Sequence, residues 1–152
     1  MKKWILIFTL TVLLTSCDYF DGITIQNDSQ RDILVSAELR YKQHPDTFTI
    51  PNYNMKHIKP GAYGYVGRRT TMYDQDLYSI LETDVISIYI ISPDTLDKYG
   101  FEEVQNSYNI LARYDITKHI HKHFYSHFEY PPSQQMINSG MKIYANPNNS
   151  DL

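Results

Sequence analysis

Alternating hydrophobic and polar residues predict a chain built mainly from short β-strands. Residues 22–27 alternate with period two, and residues 33–39 resume an extended, β-branched pattern after the polar Asp28-Ser29-Gln30. We interpret this pair of segments as a β-hairpin. Similar patterns predict strands over residues 47–50, 63–66, 108–114, 124–130 and 141–144. The continuous apolar run at residues 85–91 indicates a strand buried on both faces, which we expect at the centre of the sheet.

Helical spacing of apolar residues interrupts these strands. It predicts helices over residues 72–81, 95–105 and 117–123, with Gly100 interrupting the second. Lys59-Pro60-Gly61 predicts a turn, because proline supplies a fixed φ and glycine a positive one. The predicted fold class is therefore α+β, with a mainly antiparallel β-sheet and short helices on one face.

The N-terminus has the pattern of a secretory signal. Lys2 and Lys3 form a cationic start, and residues 4–14 (WILIFTLTVLL) form an apolar run broken only by threonines. Eleven helical residues extend over only about 16 Å, whereas the hydrocarbon core of a bilayer is about 30 Å thick. The segment is therefore too short for a comfortable membrane span.

Leu14-Thr15-Ser16-Cys17 follows this run and resembles the bacterial lipobox, in which the cysteine is acylated and becomes the first residue of the mature protein. The resemblance implies a cleaved lipoprotein signal peptide and a membrane anchor of two or three acyl chains at Cys17. We expect a signal peptide at 1–16, the lipidated cysteine and a tether at 17–21, a single globular α+β domain at 22–145, and a disordered tail at 146–152.

Charge and cysteine content restrict the chemistry of this domain. The 152 residues include 14 basic and 17 acidic side chains, and removal of Lys2 and Lys3 would leave 12 against 17, a net charge of −5. Because nucleic acids and anionic lipid headgroups both demand a basic patch, we expect no nucleic-acid partner and no strong attraction to such headgroups. Cys17 is the only cysteine, so its lipidation would exclude thiol catalysis and disulfides.

Histidines crowd the segment that follows the predicted strand at 108–114. In a continuous helix, His119, His123 and His127 would share a stripe with Asp115, whereas in a strand His119, His121 and His123 would share a face. We expect solvated side chains and no cofactor. The alternative is a metal site with His119 and His123 as ligands.

Fourteen tyrosines are the second unusual feature of the composition. Most suit half-buried strands, but those near predicted turns are candidates for ligand contact, because tyrosine combines a large apolar ring with a hydroxyl. These candidates are Tyr53, Tyr63, Tyr65 and Tyr73. The chain contains no phosphate-binding glycine loop, no Gly-x-Ser-x-Gly motif and no His-Glu-x-x-His motif.

Several short motifs in the predicted domain bear on its family. They are His44-Pro45-Asp46-Thr47, the run IISPDTLDKY at residues 90–99, YNILARY at 108–114 followed by Asp115, and Tyr130-Pro131-Pro132 with residues 141–144. On these motifs the chain resembles an uncharacterised family of small lipoproteins from Bacteroidota. The resemblance implies an envelope protein of the outer membrane and attaches no activity to it. The alternative is the inner membrane, because an aspartate directly after the cysteine, here Asp18, is associated with inner-membrane retention in some bacteria.

Taken together, these patterns predict a lipid-anchored cell-envelope lipoprotein that is a non-enzymatic binding or structural module. Its expected partners are the membrane, through the acyl chains at Cys17, and an envelope protein or glycan. The alternative is a histidine-dependent metal-binding protein or metalloenzyme. A third possibility is a lipid-anchored subunit of a larger envelope complex.

Overall fold

The computed structural model describes residues 22–38, 55–66, 78 and 84–145. The predicted signal, tether and tail, the strand at 47–50, and the helix at 72–81 apart from the helical Tyr78 lie outside this part of the chain. The described elements are β1 (Ile23–Asn27), β2 (Ile33–Glu38), β3 (Lys56–Ile58), β4 (Tyr63–Val66), β5 (Val85–Ile91), α1 (Pro93–Tyr99), α2 (Phe101–Ser107), β6 (Ala112–Thr117), α3 (Lys118–His123), β7 (His127–Tyr130), α4 (Gln134–Asn138) and β8 (Lys142–Ala145).

The strands form two sheets. One has five strands in the order β3-β2-β5-β6-β8, and every neighbouring pair in it is antiparallel. The other has three strands in the order β4-β1-β7, in which β1 pairs antiparallel with β4 and parallel with β7. The α+β class with mostly antiparallel pairing is thus confirmed.

The apolar strand β5 lies at the centre of the five-stranded sheet, as predicted. Ile86, Ile88 and Ile90 on one face pack into a core shared with β1 and β7 of the three-stranded sheet. Tyr89 and Ile91 on the other face pack with Val104 of α2. Because β5 carries apolar side chains on both faces, other elements must pack against each face to exclude solvent.

The expectation that the helices lie on one face is wrong. Val104 places α2 on the face that carries Tyr89, whereas Ile120 of α3 and Met136 of α4 belong to the core between the two sheets. The cause is the two-sided burial of β5: the three-stranded sheet with α3 and α4 covers one face, and α1 and α2 cover the other.

The predicted hairpin between residues 22–27 and 33–39 is also wrong. β1 pairs with β4 and β7, whereas β2 pairs with β3 and β5. The buried Asn27 accounts for the difference. Its Nδ2 donates to the carbonyls of Arg31 at 2.8 Å and Ile58 at 2.9 Å, and its Oδ1 accepts from Ser29 N at 3.1 Å and Ser29 Oγ at 2.6 Å. These bonds close residues 28–32 into a corner that carries the chain from one sheet to the other.

Local conformations explain the remaining differences at element ends. Gly61 has φ 72° in the predicted turn, and Gly100 has φ 76° where α1 gives way to α2, so both expectations are confirmed. The predicted strand at 108–114 begins only at Ala112, because Tyr108 adopts φ 55° and ends α2. The short elements β3 and α4 lack a clear periodicity and were not predicted.

We predict that Asn27→Ala lowers the free energy of unfolding by about 3 kcal/mol or more, because four hydrogen bonds are lost and two carbonyls lose their amide donor. Asn27→Asp should cost at least as much, since a carboxylate cannot donate to the carbonyls of Arg31 and Ile58. Chemical denaturation followed by circular dichroism measures both. The control Asn106→Ala, on the exposed side of α2, should stay within about 0.5 kcal/mol of the wild type. Equal stability of all three variants would contradict the role of Asn27.

Candidate functional site

The three-stranded sheet turns one side to the core and the other to solvent. Its inward side chains are apolar and buried, with Ile25 and Phe128 fully enclosed. Its outward side chains form a surface that we call the tyrosine face. This surface consists of Thr24 and Gln26 on β1, Tyr63 and Tyr65 on β4, and His127 and Glu129 on β7.

The strand register arranges the tyrosine face in two rows. Tyr65, Thr24 and His127 occupy paired positions in one row. Tyr63, Gln26 and Glu129 occupy paired positions in the other. Because neighbouring strands are about 4.8 Å apart, each β1 side chain lies between an aromatic ring and an ionisable side chain.

Tyr63 and Tyr65 are the dominant apolar groups on this surface. Their side chains are 60% and 52% exposed, and their rings meet edge to face with centroids 5.7 Å apart and an interplanar angle of 86°. Edge-to-face contact is a favoured geometry for aromatic pairs. The two rings therefore support each other while leaving most of their surface in contact with solvent.

Gly64 explains why β4 can present both rings outward. A Cβ atom at this position would lie 2.7 Å from Ile58 Cδ1 and 2.9 Å from Lys56 Cγ. Only glycine leaves room for the β3 side chains to pack this closely against the inner side of β4. The alternation of the strand then places Tyr63 and Tyr65 on the outside.

Hydrogen bonds at the far end of β1 fix the start of β4. Asn27 N donates to Ala62 O at 2.8 Å, and Gly61 N donates to Asn27 O at 2.7 Å. Gln26 Nε2 donates to Gly61 O at 3.2 Å, so this side chain is held in place beside Tyr63. The turn predicted at residues 59–61 therefore aligns the tyrosine face as well as reversing the chain.

Two of the four candidate tyrosines, Tyr63 and Tyr65, come together in the structure. Tyr53, Tyr73 and the candidate lipidation site Cys17 lie outside the described residues. Sequence reasoning missed the polar members of the tyrosine face. The alternation at residues 22–27 marks Thr24 and Gln26 as outward-facing, but no local signal places β7 beside β1.

His119 and His123 share the stripe predicted for a helix, whereas His127 leaves it, because α3 ends at His123 with Phe124 as its C-cap. His119 and His123 are exposed, with stacked rings whose centroids are 6.4 Å apart. His121 is buried, so the expectation of solvated side chains is wrong for this histidine, and His127 lies on the tyrosine face. Within residues 22–38, 55–66, 78 and 84–145, no group of three or more His, Cys, Asp or Glu side chains could hold a metal ion. The pair alone supplies fewer ligands than the three or four of a typical zinc site.

His121 and Ser126 form a pair that resembles a catalytic nucleophile and its base, with Nε2 and Oγ 2.7 Å apart. The neighbouring backbone N–H groups are all in use: those of residues 125, 126 and 127 donate to Lys122 O, His121 O and Phe124 O. They cannot stabilise an oxyanion while these bonds persist. The hydrogen bond between His121 and Ser126 therefore holds the turn at residues 124–126 against α3.

A second polar cluster lies on the five-stranded sheet, on the face that is turned away from the three-stranded sheet and packs against α1 and α2. Arg113 stacks on Tyr144 at 3.9 Å, donates to Tyr108 Oη at 2.7 Å, and lies 3.0 Å from both carboxylate oxygens of Asp115. Burial acts to lower the pKa of Arg113, but Asp115 and Tyr108 raise it on balance. The charges of Arg113 and Asp115 thus compensate each other within the domain.

The buried hydroxyl of Tyr89 donates to Glu38 Oε2 at 2.8 Å in this cluster. Burial, and then the hydrogen bond and negative charge of Glu38, raise the pKa of Tyr89 well above its usual value. Burial likewise raises the pKa of Tyr114. Both tyrosines are therefore held in the neutral form by the folded structure.

In the described part of the chain, no helix is long and apolar enough to cross a membrane. Comparison with protein-family models, with characterised proteins and with solved structures finds no match to the chain.

The raised pKa of Tyr89 predicts a loss of stability in alkali. The neutral hydroxyl stabilises the fold fully below about pH 10, and this contribution declines above that pH because the unfolded chain releases the proton first. Tyr89→Phe should cost about 1–2 kcal/mol at neutral pH, since Glu38 loses a donor. Above about pH 10 the variant should lose about 1.4 kcal/mol less per pH unit than the wild type. Denaturant titrations at several alkaline pH values measure this, and identical slopes would contradict it.

Proposed function

We propose that this chain is a lipid-anchored protein of a bacterial cell envelope and that its tyrosine face binds an envelope glycan without catalysing a reaction. The observation that carries the proposal is the exposed pair of rings on β4, with Tyr63 in register with Gln26 and Glu129 and Tyr65 in register with Thr24 and His127. The anchor is inferred from Leu14-Thr15-Ser16-Cys17, directly behind a short apolar run.

The composition of the tyrosine face favours a sugar. Tyrosine rings present apolar surface on which the C–H face of a pyranose ring can lie. Gln26 and Glu129 next to Tyr63, and Thr24 and His127 next to Tyr65, offer donors and acceptors for sugar hydroxyls. An exposed sheet surface with apolar and hydrogen-bonding groups side by side suits one side of an extended polymer.

The size of the tyrosine face argues against a stable protein partner on this surface alone. It has six side chains, whereas a standard protein interface uses about 20–30 residues on each side. A repeating glycan does not require such an area at each contact, because many weak contacts along the polymer add through multivalency.

The lipid anchor would keep this surface close to the membrane. Two or three acyl chains give effectively permanent attachment, since each buried methylene contributes about 0.8 kcal/mol. Gly22 is five positions after Cys17, so the described domain would begin at most about 18 Å from the lipidated cysteine. Placement in the outer membrane rests on the resemblance to Bacteroidota lipoproteins. A metal-dependent role for His119 and His123 stays a prediction, with only their stacked rings in its favour.

We predict that the double variant Tyr63→Ser/Tyr65→Ser binds envelope polysaccharide roughly tenfold more weakly, because each aromatic contact contributes about 0.5–1.5 kcal/mol. Co-sedimentation of the processed, lipidated protein with purified cell-wall and capsular polysaccharides measures binding. The matched control is Tyr99→Ser, which removes an exposed tyrosine from α1 outside the tyrosine face. Equal binding by the double variant and the control would contradict the proposal, as would no wild-type binding to any of the polysaccharides.

We predict that Cys17→Ala abolishes incorporation of an alkyne-labelled fatty acid and moves the protein out of the membrane fraction, because Cys17 is the only thiol that can be acylated. The control Ser16→Ala keeps a small residue in the lipobox-like motif and should retain label and membrane association. Label on Cys17→Ala, or wild-type protein in the soluble fraction after processing, would contradict the anchor.

A further inference from the structure

The turn between α3 and β7 presents an aromatic side chain that the fold does not use. Tyr125 is 91% exposed, the highest value among the large hydrophobic side chains of the described residues. Its φ is 48°, and Ser126 follows with φ 64°. Left-handed backbone is unfavourable for residues other than glycine, and a nearly fully exposed ring gives little burial in return. Strain combined with exposure suggests that Tyr125 serves a contact outside the domain.

The turn lies beside the start of β1, the strand that follows the predicted lipid anchor at Cys17. Thr24 N donates to Ser126 O at 2.7 Å, and Thr24 pairs with His127 at the start of the parallel strands β1 and β7. Thr24 is seven residues from Cys17, so this end of the sheet would lie at most about 25 Å from the lipidated cysteine. A turn so close to the anchor can reach the headgroup layer.

The charges around Tyr125 fit an anionic surface. Residues 116–128 contain no Asp or Glu, although the predicted mature chain is acidic overall. In α3, Ile120 and His121 face the core, whereas His119, Lys122 and His123 are exposed. We call these three side chains together with Tyr125 the basic surface.

Two neighbouring charges lie at the other end of α3. Lys118 is exposed there but already interacts with a neighbouring group, so it is left out of the basic surface. Asp84 lies at the same end, because Val85 pairs with Thr117, the N-cap of α3. The basic surface is at the C-terminal end of α3, beside the turn.

We propose that the basic surface is a second membrane contact, in which Tyr125 enters the headgroup layer and Lys122 lies against anionic lipid. This inference rests on the proposed lipid anchor. Tyrosine is enriched at membrane interfaces because its ring is apolar and its hydroxyl is polar.

One lysine and one tyrosine would not recruit a free protein, since basic clusters that do so have about 4–8 lysines and arginines. An acyl anchor makes the contact intramolecular and supplies a high effective concentration. The basic surface therefore orients the domain. It turns the row Tyr65-Thr24-His127 towards the bilayer and leaves the row Tyr63-Gln26-Glu129 farther from it.

A tryptophan at position 125 tests the contact. The only tryptophan of the chain is Trp4, within the predicted signal peptide, so Tyr125→Trp gives the processed protein a single reporter. The lipidated variant is reconstituted into vesicles of phosphatidylglycerol and phosphatidylethanolamine with brominated acyl chains. We expect blue-shifted emission and severalfold stronger quenching than for the control Tyr99→Trp on α1. Adding Lys122→Glu should reduce the quenching.

The outcomes separate the contact from the anchor. If the protein does not float with the vesicles, the proposed anchor fails and the contact with it. If it floats but the Tyr125→Trp variant is quenched no more than the Tyr99→Trp control, or its quenching ignores Lys122→Glu, the membrane contact is overturned and the anchor stands. Tyr125→Gly provides a further test, since it relieves the left-handed strain and should raise the melting temperature. A lower melting temperature would mean that the ring stabilises the domain itself, which would also overturn the inference.

Discussion

A single buried amide, that of Asn27, holds the two sheets in the arrangement on which the rest of the structure depends. It belongs to β1 and donates to the carbonyl of Arg31, just before β2, and to that of Ile58 at the end of β3. Each such hydrogen bond contributes only about 0.5–1.5 kcal/mol net, but an unsatisfied buried carbonyl costs more than that. The geometry of a carboxamide, with two donors and an acceptor, is therefore required at this corner.

The corner determines which side of the three-stranded sheet is exposed. Once β1 is tied to β2 and β3, its alternate residues Ile23 and Ile25 pack on the five-stranded sheet, and Thr24 and Gln26 must face solvent. Gly64 has a similar effect on β4. Because it has no Cβ, Ile58 can pack directly against the inner side of the strand, and Tyr63 and Tyr65 lie on the outer side. The tyrosine face is thus a consequence of core packing on its other side.

Local sequence was sufficient to predict those elements whose conformation depends on residues close to them in the chain. The apolar run of β5, the break at Gly100 and the start of α3 after Thr117 depend on neighbours within a few residues. The prediction of a hairpin was wrong because strand pairing depends on hydrogen bonds between residues that are distant in the chain. Here Asn27 donates to the carbonyl of Ile58. The pairing of β1 with β7 spans about a hundred residues and leaves no local pattern. Of the six residues of the tyrosine face, only Tyr63 and Tyr65 were therefore predicted as candidates for ligand contact.

Net charge was similarly uninformative about the surface. The acidic net charge of the chain argues against an anionic membrane on average, but Lys122 and two histidines lie together on the exposed side of a helix beside Tyr125. Where charged side chains collect on the surface depends on which of their neighbours are buried in the core. In α3 the buried residues are Ile120 and His121, which leaves the opposite side of the helix exposed. The tyrosine face lies on the three-stranded sheet and the basic surface on α3 and the turn before β7, so the two proposed contacts use neighbouring but different elements.

The central claim is that the solvent side of the three-stranded sheet is the ligand-binding surface. Nuclear magnetic resonance of isotope-labelled protein, titrated with soluble fragments of envelope polysaccharide, tests it residue by residue. The account predicts that the largest shifts occur at Thr24, Gln26, Tyr63, Tyr65, His127 and Glu129, with little change in α1 and α2. Shifts concentrated on α1 and α2, or none with any of the fragments, would contradict it.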